Sequence, residues 1–130
     1  IGQVTFEDIR VEYTKHQLPD VFQNDMDAPY PMDTPVRHPL LFCLPIYRSG
    51  LFAEDGLNGR IHDITFRNIR ILTDAPEVPV PESAFLGLDA EHTVERICIA
   101  GVTCNGKRLA TREELRLHIN EFVRDVTILP

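Results

Sequence analysis

Ile61-His62-Asp63-Ile64-Thr65-Phe66-Arg67-Asn68-Ile69-Arg70-Ile71 is the stretch on which the fold turns. Ile64 and Phe66 alternate with polar neighbours, and Ile69 and Ile71 do the same, which is the period of strands with one buried face. Across Arg67-Asn68 the alternation changes phase. A corner at that point lets both short strands present their apolar side chains to one core. Asn68 suits such a corner because asparagine tolerates left-handed backbone angles better than most residues.

The same grammar recurs in Ile1-Gly2-Gln3-Val4-Thr5-Phe6-Glu7-Asp8-Ile9-Arg10-Val11, in Val94-Glu95-Arg96-Ile97-Cys98-Ile99-Ala100-Gly101-Val102-Thr103-Cys104, and in the closing Val123-Arg124-Asp125-Val126-Thr127-Ile128. The three complete copies put Asp8, Asn68 and Gly101 at the corner, the residue types that visit positive φ at least cost. Leu88 precedes the third copy much as Ile119 precedes the fourth, so the repeating unit is larger: a strand, a turn, then strand–corner–strand. The copies start at Ile1, Ile61, Val94 and Val123, so the steps are 60, 33 and 29 residues. Unequal steps mean loops inserted between regular strands. Such units bury their apolar faces by stacking like strand on like strand in parallel, about 4.8 Å apart.

Between the copies the chain reads in segments. Residues 14–38 are irregular, with Pro19, Pro29, Pro31 and Pro35 removing backbone donors. A loop this long is either a surface excursion packed down by its apolar residues or a functional segment. Leu40-Leu41-Phe42-Cys43-Leu44 reads as a buried strand that Pro45 makes an edge or a strand end. Residues 47–58 form a second loop, and 74–81 a proline-rich connector. Ser83 to Leu88 is another short strand, and Asp89-Ala90-Glu91-His92 turns the chain into the third copy. Asn105-Gly106 is a tight-turn dipeptide. Thr111-Arg112-Glu113-Glu114 is a capping box, while Leu115, Leu117 and Ile119 alternate at strand period. Together they predict one helical turn near 112–115, then a strand over 115–119.

The balance of charge bounds the function. A formal net charge of −7 over 130 residues argues against nucleic-acid binding, which calls for clustered Lys and Arg. No apolar run reaches the length of a membrane helix. The chain opens inside a repeat copy without Met, which points to a processed product or, preferentially, a piece of a longer polypeptide. Cys43, Cys98 and Cys104 match no zinc or redox spacing. Cys98 falls at the outward position of Thr5 and Thr65, and Cys104 in phase with the inward Val11 and Ile71. That difference in phase argues against a disulfide between them and predicts free thiols.

In Val4–Val11, Ile64–Ile71 and Leu88–Ile97 through Asn105-Gly106-Lys107, the chain resembles the right-handed parallel β-helix proteins of the pectin-lyase-like superfamily. It resembles most the late coils of bacterial polygalacturonase-like glycoside hydrolases. The resemblance implies an all-β, right-handed parallel β-helix of about three to four coils with long inserted loops. It also implies a secreted or periplasmic protein acting on polysaccharide. The family's catalytic segments (Asn-Thr-Asp, Asp-Asp, Gly-His-Gly and Arg-Ile-Lys) are absent here and lie on earlier coils, so none of its catalytic residues carries over.

Chemistry must then be sought in the residues themselves. Glycoside hydrolysis needs two carboxyl groups facing one sugar, one of them kept protonated. Acidic candidates are Asp25, Asp27 and Asp33 in the first loop, Glu54 and Asp55 in the second, and Asp89 with Glu91 beside His92. The last group is the leading catalytic candidate, because a histidine beside two carboxylates can serve as acid or base; the plainer alternative is a set of solvated turn residues. A triad of Ser49 with His62 and Asp63 has no nucleophile-elbow motif behind it. Tyr30, Tyr47 and Phe52 fall in loops and could stack on sugar rings or pin their loops to the core. No histidine pair has metal-ligand spacing, Asp25-Met26-Asp27 lacks the Gly and the later Glu of an EF-hand, and no cofactor is expected. The expected function is a terminal β-helix segment of a polysaccharide-active enzyme without a catalytic motif of its own. The alternative is a non-catalytic carbohydrate-binding or assembly module that forms oligomers through its exposed ends; a small stand-alone enzyme ranks last.

Overall fold

The computed structural model describes residues 1–14, 41–46 and 59–130. Within them the chain is all-β, with eight strands: β1 (Gly2–Tyr13), β2 (Cys43–Pro45), β3 (Ile61–Thr73), β4 (Ser83–Leu86), β5 (Val94–Cys104), β6 (Lys107–Leu109), β7 (Leu117–Ile119) and β8 (Val123–Leu129). They form two sheets. In the larger, β1, β3, β5 and β8 stack in parallel in chain order, and β6 folds back antiparallel on β5. In the smaller, β2, β4 and β7 stack in parallel, again in chain order. Neither sheet closes on itself among the described residues.

The repeat copies are the rows of the larger sheet, in the register their sequences predict. Val4 pairs with Ile64, Ile64 with Ile97, and Ile97 with Val126; Phe6, Phe66, Ile99 and Ile128 form the next column. All three corner residues have positive φ: 58° at Asp8, 54° at Asn68 and 65° at Gly101. The Asn68 amide donates a short hydrogen bond to the Asp8 carboxylate, tying successive corners together.

Each copy is one long kinked strand rather than two separate ones, because pairing to the neighbouring row continues on both sides of the corner; a second column of left-handed residues lies five positions upstream. Gln3, Asp63, Arg96 and Asp125 have φ of 58°, 54°, 55° and 52°. Both columns obey one rule. Two apolar residues stand three apart, as in Ile61 and Ile64 or Phe66 and Ile69, and the residue just before the second is left-handed. The kink shifts the strand's alternation by one residue, so the side chains before and after it both face inward.

The inward columns make the core with the smaller sheet. Ile64, Phe66, Ile69, Ile71, Val94, Ile97, Ile99 and Val102 are buried together with Phe42, Phe85, Leu115 and Leu117. Phe66 links the sheets. Its ring lies 5.2 Å from Phe6, 4.4 Å from Phe42 and 6.3 Å from Phe85, centroid to centroid. Pro45 ends β2, the edge of its sheet, as expected of a residue without a backbone donor.

Asn105 and Gly106, both at positive φ, make the hairpin between β5 and β6. The Thr111 cap also forms: Glu114 N–H donates to Thr111 Oγ1 at 3.1 Å, while Glu114 Oε2 accepts the N–H of Ala110, one residue before the cap, at 2.8 Å. The turn runs through Arg116, and β7 starts at Leu117, two residues later than expected. The reason is the turn's termination. Leu117 N–H bonds Arg112 C=O and Arg116 N–H bonds Glu113 C=O, each at 3.0 Å, with Arg116 left-handed at φ 47°. This is the bonding pattern that commonly closes a helix around a glycine, here built on arginine. The three cysteines are free thiols, with Cys98 in the threonine column and Cys104 beside Ile71 in the inward one.

Candidate functional site

Asp89, Glu91 and His92 lie in the turn between β4 and β5. Asp89 Oδ1 accepts the backbone N–H groups of Glu91 and His92, both at 2.9 Å, and the His92 Nδ1–H at 2.7 Å. Loss of hydration disfavours the charged form of Asp89. The Glu91 N–H, the His92 ring and the His92 N–H outweigh it and hold the carboxyl below the ordinary aspartate range. The Glu91 side chain is exposed, and its carbonyl accepts Arg60 Nε–H at 2.8 Å. Asp89 is therefore occupied as the organiser of a turn, with His92 half-buried against it. The arrangement stabilises an ionised carboxylate, the opposite of what a general acid requires.

A denser polar cluster lies beside it at the starts of β3 and β5. Arg96 donates to Asp63 through Nε at 2.8 Å and an Nη at 3.1 Å, and to Glu95 Oε1 at 2.7 Å. His62 Nδ1–H donates to Asp63 Oδ2 at 2.6 Å. The Arg96 guanidinium, with His62 behind it, holds the Asp63 carboxyl far below its usual value, and Asp63 and Glu95 raise Arg96 in return. Arg96 also lowers Glu95. The sequence shows Asp63 and Arg96 only as separate polar residues. They become a pair once the copies are stacked, because they occupy one position in successive rows. Glu7 and Arg67 meet in the same way at 2.8 Å.

Every carboxyl group among the described residues with a displaced pKa (Asp63, Asp89, Glu95 and Glu114) is displaced downward. None of these four has the raised pKa of a protonated catalytic acid. The described residues hold no grouping of three or more His, Cys, Asp or Glu suited to a metal ion. Among the described residues no helix is long and apolar enough to cross a membrane. The loop carboxylates Asp25, Asp27, Asp33, Glu54 and Asp55, Ser49, and the aromatic candidates Tyr30, Tyr47 and Phe52 lie outside the described residues. No family model, curated protein or solved structure matches the chain.

Proposed function

We propose that the chain is a section of a right-handed parallel β-helix belonging to a polysaccharide-active protein, in which it serves as scaffold and groove wall rather than as the seat of catalysis. The observation that carries this reading is the joint advance of the two parallel sheets. The chain alternates between them, β2 to β3, β4 to β5 and β7 to β8, and each return adds the next row in the same order. Connections between parallel strands are right-handed in nearly all proteins, which favours right-handed coils. The columns of left-handed residues suit coils that repeat one backbone path. The polysaccharide part rests on resemblance to the pectin-lyase-like superfamily, and it carries with it a secreted or periplasmic location. The scaffold part rests on the lowered carboxyl groups, which suit structure better than proton transfer.

Affinity electrophoresis of the chain through gels containing plant and bacterial polysaccharides tests the proposal, with a reducing-end assay run in parallel. Retardation by at least one polysaccharide, with no new reducing ends, is the expected outcome. Unretarded migration through every gel overturns the polysaccharide reading, and released reducing ends overturn the scaffold reading. The alternative of an assembly module is favoured by one feature, the exposed apolar side chains on the two outer rows of the larger sheet.

A further inference from the structure

Past the corner, the residues of the larger sheet alternate between the core and the outside. Ile69, Ile71, Val102 and Leu109 are buried in the core, so Arg70, Thr103 and Arg108, which alternate with them, face outward. Register places these side chains in one column with Arg10 of β1. Arg10 pairs with Arg70, Arg70 with Thr103, and Thr103 with Arg108. Read across the rows, about 4.8 Å apart, the column is Arg, Arg, Thr, Arg.

Like charges opposite one another in a sheet are destabilising unless an opposite charge offsets them. Around Arg70 and Arg108 none does. Past the corner β3, β5 and β6 carry Arg70, Lys107 and Arg108 and no carboxylate, on a chain whose net charge is −7. Arg10 is held by Glu12 at 2.5 Å, and Arg67, on the other side of the corner, by Glu7 at 2.8 Å. Among the described residues, Arg70, Arg108 and the Thr103 hydroxyl have no ion pair or side-chain hydrogen bond. Both arginines are exposed, and Thr103 lies half-buried between them.

We propose that Arg70, Thr103 and Arg108 form a binding site for a tetrahedral oxyanion of the phosphate type. The two arginines flank Thr103 by one row on each side. An anion seated over Thr103 therefore takes a guanidinium fork from either side and the hydroxyl from below. A carboxylate, with its two oxygens in one plane, is satisfied by a single fork; a tetrahedral anion has oxygens for both forks and the hydroxyl. Paired strands rather than loops fix the spacing of the three side chains. The site lies at the opposite end of β5 from the turn of Asp89 and His92, and it does not depend on the polysaccharide reading.

NMR titration of the isotope-labelled chain with sodium phosphate, balanced by sodium chloride at constant ionic strength, tests the proposal. The backbone N–H signals of Arg70, Thr103 and Arg108 and the Nε–H signals of both arginines should shift together and saturate in the millimolar range. Arg70→Gln and Arg108→Gln should each weaken binding about tenfold, the loss of one charge-assisted contact, whereas Arg10→Gln, at a side chain that Glu12 already holds, should change it less than about twofold. Arg70→Lys keeps the charge without the fork and should fall between wild type and Arg70→Gln. Since these side chains face outward, the remaining signals should stay in place and show that each variant is folded. Glucose 6-phosphate separates two sources of the same chemistry. Binding at least as tight as that of inorganic phosphate assigns the site to a phosphate ester, and weaker binding assigns it to the free anion. Shifts that never saturate, that chloride alone reproduces, or that survive Arg70→Gln combined with Arg108→Gln overturn the proposal.

Discussion

At the scale of single residues, the structure rests on side chains that accept a left-handed backbone in a fixed column. Asn68 has φ of 54° and donates to Asp8 in the row before it. Asn68→Val puts a β-branched residue into that conformation and removes the bond. We expect a loss of about 1–3 kcal/mol, read as a drop of several degrees in Tm. Asn68→Gly, which keeps the backbone accessible, should lose less. An unchanged Tm for Asn68→Val contradicts the corner assignment. Asp63 gives a test in pH. Its folded pKa lies below its unfolded value of about 3.9, so its stabilisation is complete above that value and is lost as pH falls toward the folded pKa. Asp63→Asn, which also tolerates positive φ, should therefore flatten the acid limb of a Tm-versus-pH curve. The wild-type and variant curves should converge toward low pH and separate above about pH 4. Curves that run parallel throughout contradict a role for the Asp63–Arg96 pair.

At the scale of elements, the turns joining the two sheets are closed by side chains that imitate a strand ladder. Asn120 Oδ1 accepts Gly87 N–H at 3.1 Å and Phe122 N–H at 3.2 Å, while its Nδ2 donates to Gly87 C=O at 2.7 Å. Asn105, in the β5–β6 hairpin of the larger sheet, holds the end of β3 in a related way, accepting Thr73 N–H at 3.0 Å and donating to Thr73 Oγ1 at 2.6 Å. The approach of Phe122 leaves no room at Gly87, where an added Cβ would lie 2.5 Å from both Phe122 Cβ and its carbonyl oxygen. Gly87→Ala should cost about 1–3 kcal/mol by forcing the β4–β5 and β7–β8 turns apart, measurable by urea unfolding. Gly2 makes an instructive contrast. There an added Cβ meets the His62 ring at 2.2 Å, but a ring can swing away where a backbone cannot. Gly2→Ala should therefore be the milder change, and the reverse order would contradict this account.

At the scale of the whole molecule, stability is distributed by row, because each row is covered by the rows on either side. Ile69 sits in the middle of its column and is fully buried, whereas Ile9 sits in the first row of the same column and is exposed on one side. Ile69→Ala should cost about 2–5 kcal/mol, as a buried truncation does, and Ile9→Ala less than half as much. Equal losses would mean that the β1 edge is covered in solution.

The sequence by itself determined the rows, their parallel stacking, one column of corners, the hairpin at Asn105-Gly106 and the single turn near residue 112. All of these follow from short-range rules, a hydrophobic period and a residue type suited to one backbone angle. The second column was less legible. Its residues are Gln3, Asp63, Arg96 and Asp125, and glutamine and arginine do not advertise positive φ; only the three-residue spacing of their apolar neighbours does. Arg116, the left-handed residue that ends the turn, is illegible in the sequence for the same reason. Tertiary structure alone decided what the polar residues do. Asp89 and His92 are neighbours in the sequence, but that one Asp89 oxygen takes two backbone N–H groups and the His92 ring shows only in the structure, because the geometry of a carboxylate's donors is not encoded in residue spacing. Asp63 and Arg96 stand 33 positions apart in sequence and become partners only when the stack brings their rows together.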